Sequence, residues 1–447
     1  MRLVAAALCV FALQAAEFRI SFDKYTLKNG MRVILSEDRS VPVVAVYLLY
    51  GVGARSEEKG RTGFAHLFEH MMFQGSGNAP KGVHFKTVEA NGGALNGSTH
   101  PDFTDYYEIL PSNKLPVALW LEADRMRSLA ITNENLTNQK EAVKQERRLG
   151  IDNRPYNLAI VDIWPTLAFQ NWQNSHSLIG SFDDLNAASV ADVAKFFKTY
   201  YAPNNAVLAI AGDIRAAEAK KWIETYFADI PAQPQPKHPD LAEPPRKPRH
   251  EVHRDPLAQV PALIMGYPGP VRRSPDYYAL AMADVVLTGG EASRFQQNLV
   301  KGRKSVVSYE SNLGWPFAGP SDYKDPGLWT AYFMHNPSFT GKQIVAQVEE
   351  EIGKLAAGLE VKELERARTF LRAARLKELQ TVLNRAMLLA QYEFLDGAPE
   401  LITAELDRFA AVTPGEIQAA VKKYFVANQR VALEIIPAPK KEKTEGQ

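Results

Sequence analysis

The sequence predicts an α+β protein built from two related halves, and three observations carry that prediction. Strand-like apolar runs alternate with long amphipathic helices along the 447 residues. A proline-rich stretch, residues 231–251 (PAQPQPKHPDLAEPPRKPRHE), divides the chain near its middle. Proline at that density removes backbone donors and fixes φ, so the stretch reads as an extended linker. Finally, KTYYAPNNAVLA at 198–209 returns as KKYFVANQRVAL at 422–433, an offset of 224. In each copy a helix with apolar spacing (Val193, Phe196, Phe197; Ile417, Ala420, Val421) runs into an aromatic pair, an asparagine-containing turn and an apolar strand.

Taken in order, residues 1–16 (MRLVAAALCVFALQAA) place Arg2 ahead of an apolar run from Leu3 to Leu13, followed by Ala15 and Ala16. This is the pattern of a secretory signal peptide cleaved before about Glu17, which predicts a periplasmic or secreted protein. A buried first strand, or a start codon assigned too far upstream, is the other reading of the same run. Strands are expected at Arg32–Leu35, Val43–Tyr50, Thr104–Leu110, Val207–Ala211 and Leu263–Tyr267, where β-branched and aromatic residues cluster. Helices are expected over 62–74, 115–128, 134–149, 190–200, 342–357 and 361–395. The units are therefore 17–230, the linker 231–251, 252–437, and a charged tail 438–447 without apolar anchors, expected to be disordered.

Composition excludes several chemistries. Lys and Arg total 52 against 51 Asp and Glu, a net charge of +1, without the basic excess of a nucleic-acid protein. The single cysteine, Cys9, removes disulfides, iron–sulfur clusters and thiol catalysis. No later stretch reaches the roughly 18 apolar residues of a membrane span. A metal here must be held by His, Asp and Glu.

The segment Thr62–Phe73 (TGFAHLFEHMMF) supplies such a set. Thr62 is expected to cap a helix and Gly75 to end it. At about 100° per residue His66, Glu69, His70 and Phe73 share one side, and the other directions are apolar. A helix apolar on its remaining faces is buried, so its ionisable arc needs compensation. Two histidines at i and i+4 suit one Zn²⁺. A catalytic zinc wants a third protein ligand. Glu146, expected to project from the apolar side of the 134–149 helix, is the first choice and Asp124 the second. An ion pair of Glu146 with Arg125 or Arg147 is the bland alternative. Gln139 shares that side and can hydrogen-bond a ligand. A zinc ion lowers the pKa of a water toward about 7, and Glu69 is placed to act as general base, a combination that hydrolyses peptide bonds. His84, His100, His176 and His335 stand isolated in the sequence, while His238 and His250 fall in the linker.

His-x-x-Glu-His, with Glu146 lying 76 residues after His70, resembles the inverzincin signature of the insulinase–pitrilysin family, including its bacterial processing-peptidase-like branch. The resemblance extends to NGGALNGSTHPDFTDYYEIL (91–110), SHSLIGSFDDL (175–185) and FFKTYYAPNNAVLAIAGD (196–213). It implies two α/β rolls, one zinc per chain held by His66, His70 and Glu146, and Glu69 as base. It also implies a substrate backbone beside Asn96 and Gly97, where the family usually has Ala rather than Gly. The second half lacks the metal motif, and the position duplicating Glu146 is Phe370. Many members carry an Arg–Tyr pair there that binds substrate. Here Tyr309 fits but Val300 stands at the Arg position, leaving Arg303 or another chain to supply it. The family's closed chamber needs four rolls, which predicts a homodimer or a heterodimer with a zinc-less homologue. The expected function is a zinc endopeptidase acting on peptides or unfolded segments; a non-catalytic or partner-dependent subunit is the alternative.

Overall fold

The structure, a computed structural model, describes residues 19–315, 319 and 322–439. The expected signal peptide, Cys9 and residues 440–447 of the expected tail lie outside the described residues. Strands β1 (Asp23–Thr26), β2 (Arg32–Glu37), β3 (Val43–Tyr50), β4 (Ala94–Thr99), β5 (Thr104–Pro111) and β6 (Ala206–Gly212) form one sheet, in the order β1-β2-β6-β3-β5-β4. Strands β7 (Arg249–Asp255), β8 (Ala262–Pro268), β9 (Val306–Gly314), β10 (Leu328–His335) and β11 (Val431–Pro437) form the other, in the order β7-β11-β8-β10-β9. Each sheet has one parallel pair, β2 with β6 and β7 with β11, and the remaining ladders are antiparallel.

The two orders superpose strand for strand once β1 is set aside, which is the architecture that the repeated segment predicts. The repeat coincides locally too. The 190–200 helix passes through Tyr201 (φ −94°, ψ 66°) into a 3-10 turn at Pro203–Asn205. The Pro414–Tyr424 helix passes through Phe425 (φ −85°, ψ 65°) into one at Ala427–Gln429. Residues 231–248 carry neither helix nor strand, but 249–251, expected as linker, begin β7.

Both sheets are covered on both faces, so their central strands read as continuous apolar runs. In β3, Val44, Val46, Leu48 and Tyr50 face a core shared with the helices of the first half. Ala45, Tyr47 and Leu49 face Leu379, Val382, Ala386, Leu389 and Tyr392 from the second half. The reverse exchange holds for β8. Ala262 and Ile264 pack against Trp164, Leu167 and Phe169 from the first half. Each half therefore lends a helix to the other's sheet.

This exchange explains one departure from the expected elements. The run 361–395 is two helices, Val361–Glu378 and Val382–Asp396, with the break at 379–381. The first stays with the second half, where Leu364 and Ala367 are buried, and the second crosses to the first sheet. Among the described residues, no helix is long and apolar enough to cross a membrane.

Candidate metal centre

Helix α1 (Phe64–Met71) begins after Gly63, whose φ is 80°. A Cβ on Gly63 would lie 2.5 Å from the Ile179 carbonyl oxygen, so only glycine fits that approach. The expected Thr62 cap is not formed: Thr62 bonds Asp184 and the amide of Ser181 instead. The free amides at the start of α1 go to Glu57, which accepts from Gly63 N at 3.0 Å and Ala65 N at 2.8 Å. Phe64, Ala65, Leu67, Phe68 and Met71 are buried, as an all-apolar set of faces requires. The helix stops at Met71, before Phe73 and Gly75.

The remaining arc carries His66, Glu69 and His70. His66 Nε2 and His70 Nε2 are 3.3 Å apart. Helix α2 (Val83–Ala90) leads into β4; α3 (Leu115–Ser128) and α4 (Asn133–Arg147) follow β5. From the last turn of α4, Glu146 places Oε1 3.6 Å from His66 Nε2 and Oε2 3.3 Å from His70 Nε2. Ligand atoms about 2.0–2.1 Å from a tetrahedral zinc sit about 3.3–3.4 Å from one another. Two of the three separations match that spacing and the third, 3.6 Å, is slightly longer, so these residues fit a zinc ion after a small adjustment.

The reach of Glu146 corrects the sequence argument for it. Ala142 and Leu149 are exposed, and Leu149 lies beyond α4 in a π-helical turn at Arg148–Asp152. The buried face is Leu136, Gln139, Val143 and Arg147, and Glu146 lies at its margin. Its side chain is 49% exposed against 13% for His66 and 25% for His70, so the site opens to solvent on the Glu146 side. Neither suggested ion pair forms: Arg125 binds Glu122, and Arg147 binds Asp162. Asp124, the second choice of ligand, accepts from Ser76 and Asn78 instead.

The electrostatics fit a cation site. Burial and the neighbouring His70 press the His66 pKa down to about 4. At His70 burial opposes the charged form, but Glu146, Glu69 and a hydrogen bond with Gln139 together raise its pKa. Two imidazoles this close do not both carry charge. The hydrogen bond to His70 holds the Glu146 carboxyl below its ordinary range. Burial pushes Glu69 up, opposed by a hydrogen bond from Thr99 Oγ1 to Oε2 at 2.7 Å.

Among the described residues a second group also converges: His84, Glu108 and Glu122, all buried. Here the compensating charge is already present, because Arg125 donates to Glu122 through Nε at 2.9 Å and stands against both carboxyls. His84 is not isolated but meets Glu108 at 2.7 Å. His100 pairs with Asp105 at 3.0 Å and His176 with Glu57 at 3.0 Å, so three of the four histidines isolated in the sequence have carboxylate partners in space.

β4 is an edge strand, paired to β5 on one side only, with Asn96 exposed and Gly97 buried beneath it. Tyr309 does not join this group. It sits on β9, the second-sheet counterpart of β4, and its hydroxyl bonds Ser293 at 2.9 Å and the Thr288 carbonyl at 3.2 Å. Arg303 pairs with Glu350 at 2.6 Å, and Val300 packs on the second core. Sequence reasoning missed Glu57, His176 and Thr99. Of these only Thr99 leaves a sequence signal, two residues from Gly97 and so on the same face of a strand.

Residues 32–181 match the family model described as Insulinase (Peptidase family M16), and residues 187–371 the one described as Peptidase M16 inactive domain. The chain belongs to the insulinase family, peptidase family M16. Its relatives include the zinc protease PqqE of Helicobacter pylori, 24% identical with 95% of each chain covered. The mitochondrial-processing peptidase subunit beta of Lentinula edodes is 22% identical, with 90% of this chain and 86% of that one covered. The crystal structure of a protease from Helicobacter pylori has a TM-score of 0.87 at 24% identity, covering 94% of this chain and all of that one. The periplasmic protease PqqL from Escherichia coli has a TM-score of 0.75 at 17% identity, covering 95% of this chain but 48% of its own length. This family member thus has the fold of the family in both halves, with a metal-type cluster in the first alone among its described residues.

Proposed function

We propose that this chain is a zinc-dependent endopeptidase acting on peptides or unfolded segments. The observation that carries the reading is the triangle of His66, His70 and Glu146, with donor atoms 3.3, 3.3 and 3.6 Å apart and Glu69 beside it. A zinc ion held there supplies Lewis-acid polarisation of the scissile carbonyl and acidifies a water. Glu69, on the same arc of α1, takes the proton of the attacking water and delivers it to the leaving amine. The exposed edge of β4 at Asn96 and Gly97 accepts the peptide as an added strand, with backbone pairing for affinity and pockets for selectivity. Gln139 orients His70 through the hydrogen bond between them.

The working unit in this reading is a pair of chains, a homodimer or a heterodimer with a zinc-less homologue. The alignment of this chain with about half of PqqL supports a doubled assembly. The signal-like residues 1–16 support export, to the periplasm or beyond. The test is metal content together with peptide hydrolysis by wild type and Glu69→Gln. Wild type is expected to bind one zinc and hydrolyse peptides, and the variant to keep zinc while losing about 10²- to 10⁴-fold in turnover. Full turnover by Glu69→Gln removes Glu69 as base; an inert, zinc-loaded wild type favours the non-catalytic subunit.

A further inference from the structure

We infer that Thr99 is a positioning residue for Glu69, an inference that rests on the reading of Glu69 as general base. In β4, Gly97 and Thr99 pair with Tyr106 and Thr104 of β5, so the two residues lie on one face of the strand. That face looks toward α1. Thr99 Oγ1 donates to Glu69 Oε2 at 2.7 Å, and no hydrogen bond among the described residues engages Oε1. One oxygen of the base is thereby fixed and the other left free to accept a proton. A Cβ on Gly97 would lie 3.1 Å from Glu69 Cγ, 3.0 Å from Tyr106 Cδ1 and 3.2 Å from the Asp105 carbonyl oxygen. The stem of Glu69 therefore lies against the bare backbone of β4 and its head against Thr99.

The physical reason such a hold matters is the length of the side chain. A glutamate has three rotatable bonds, and a base displaced by about 1 Å can lose up to about 100-fold in rate. Nothing on α1 itself fixes those torsions, since His66 and His70 turn their Nε2 atoms to Glu146. The hydroxyl that does so belongs to the edge strand proposed to bind substrate. The strand that takes up the peptide also orients the base, and register between them is built into β4.

The test compares Thr99→Val, nearly isosteric without the donor, with Thr99→Ser, which restores it. Thr99→Val is expected to lower kcat at least about tenfold. KM, zinc affinity by chelator competition and melting temperature of the metal-free protein should stay at wild-type values. Thr99→Ser is expected to recover most of kcat. Wild-type kcat in Thr99→Val, an equal loss in Thr99→Ser, or a change in KM alone overturns the inference. If wild type proves inert on peptides, the proposed function fails separately. Crystal structures of wild type and Thr99→Val then decide the positioning: one Glu69 conformer in wild type and several in the variant support it, and one shared conformer in both overturns it.

Discussion

The Glu57 carboxylate and the His176 imidazole meet at 3.0 Å beneath the first turn of α1, with the Glu57 side chain fully buried. The same carboxylate holds the amides of Gly63 and Ala65, so the pair fixes where α1 starts and hence where His66 and His70 stand. His176 Nδ1 faces the Trp172 carbonyl at 2.9 Å, and Nε2 faces the Ala54 carbonyl at 2.8 Å as well as Glu57. Both nitrogens look at acceptors, which a neutral imidazole can satisfy only once. A charged imidazolium satisfies both acceptors at once, and the ring stacks on Trp172 at 4.0 Å.

That charge sets a pH dependence. Burial works against it, but Glu57 and the two carbonyls outweigh burial and raise the His176 pKa. A raised folded pKa gives stability that is complete below the unfolded value, about 6.5, and is lost as pH rises through the folded value. The melting temperature of the metal-free protein should fall as pH rises from near neutrality, and His176→Gln should flatten that fall. Equal slopes in thermal melts of the two proteins would refute the imidazolium.

Metal affinity should rank the residues around the centre. Replacing a hydrogen-bond partner of a ligand typically costs about 10–100-fold in affinity, and Gln139→Ala is expected in that range. Glu146→Gln, which on the proposed reading removes a ligand, should lose more. Chelator competition on both variants measures this order; a Glu146→Gln protein that binds zinc as tightly as wild type excludes Glu146 from the set.

The exchanged helices predict cooperative unfolding of both halves. Trp164, fully buried, packs over Gly266 of the second sheet, and a Cβ there would lie 2.9 Å from its ring. Leu389, also fully buried, packs on the first sheet. Trp164→Ala should cost about 3–5 kcal/mol and Leu389→Ala about 2–5 kcal/mol. Each should lower one common calorimetric transition, and two separated transitions would show that the exchange does not couple the halves.

By itself the sequence determined the buried helix with one ionisable arc and the duplicated plan. Apolar residues on every other face of α1 leave His66, Glu69 and His70 a single shared arc, and the repeat at 198–209 and 422–433 recurs as the same helix, turn and strand. Only the tertiary structure decided who meets whom. Periodicity says which face of a helix is apolar but not which neighbour covers it, so 361–395 read as one helix although its second part belongs to the other sheet. Nor did it reveal that Glu146 reaches the histidines from the solvent-facing margin of α4, because that depends on how α4 lies against α1. Glu57 and His176 lie 119 positions apart, with two strands and several helices between them, and no local pattern encodes their meeting.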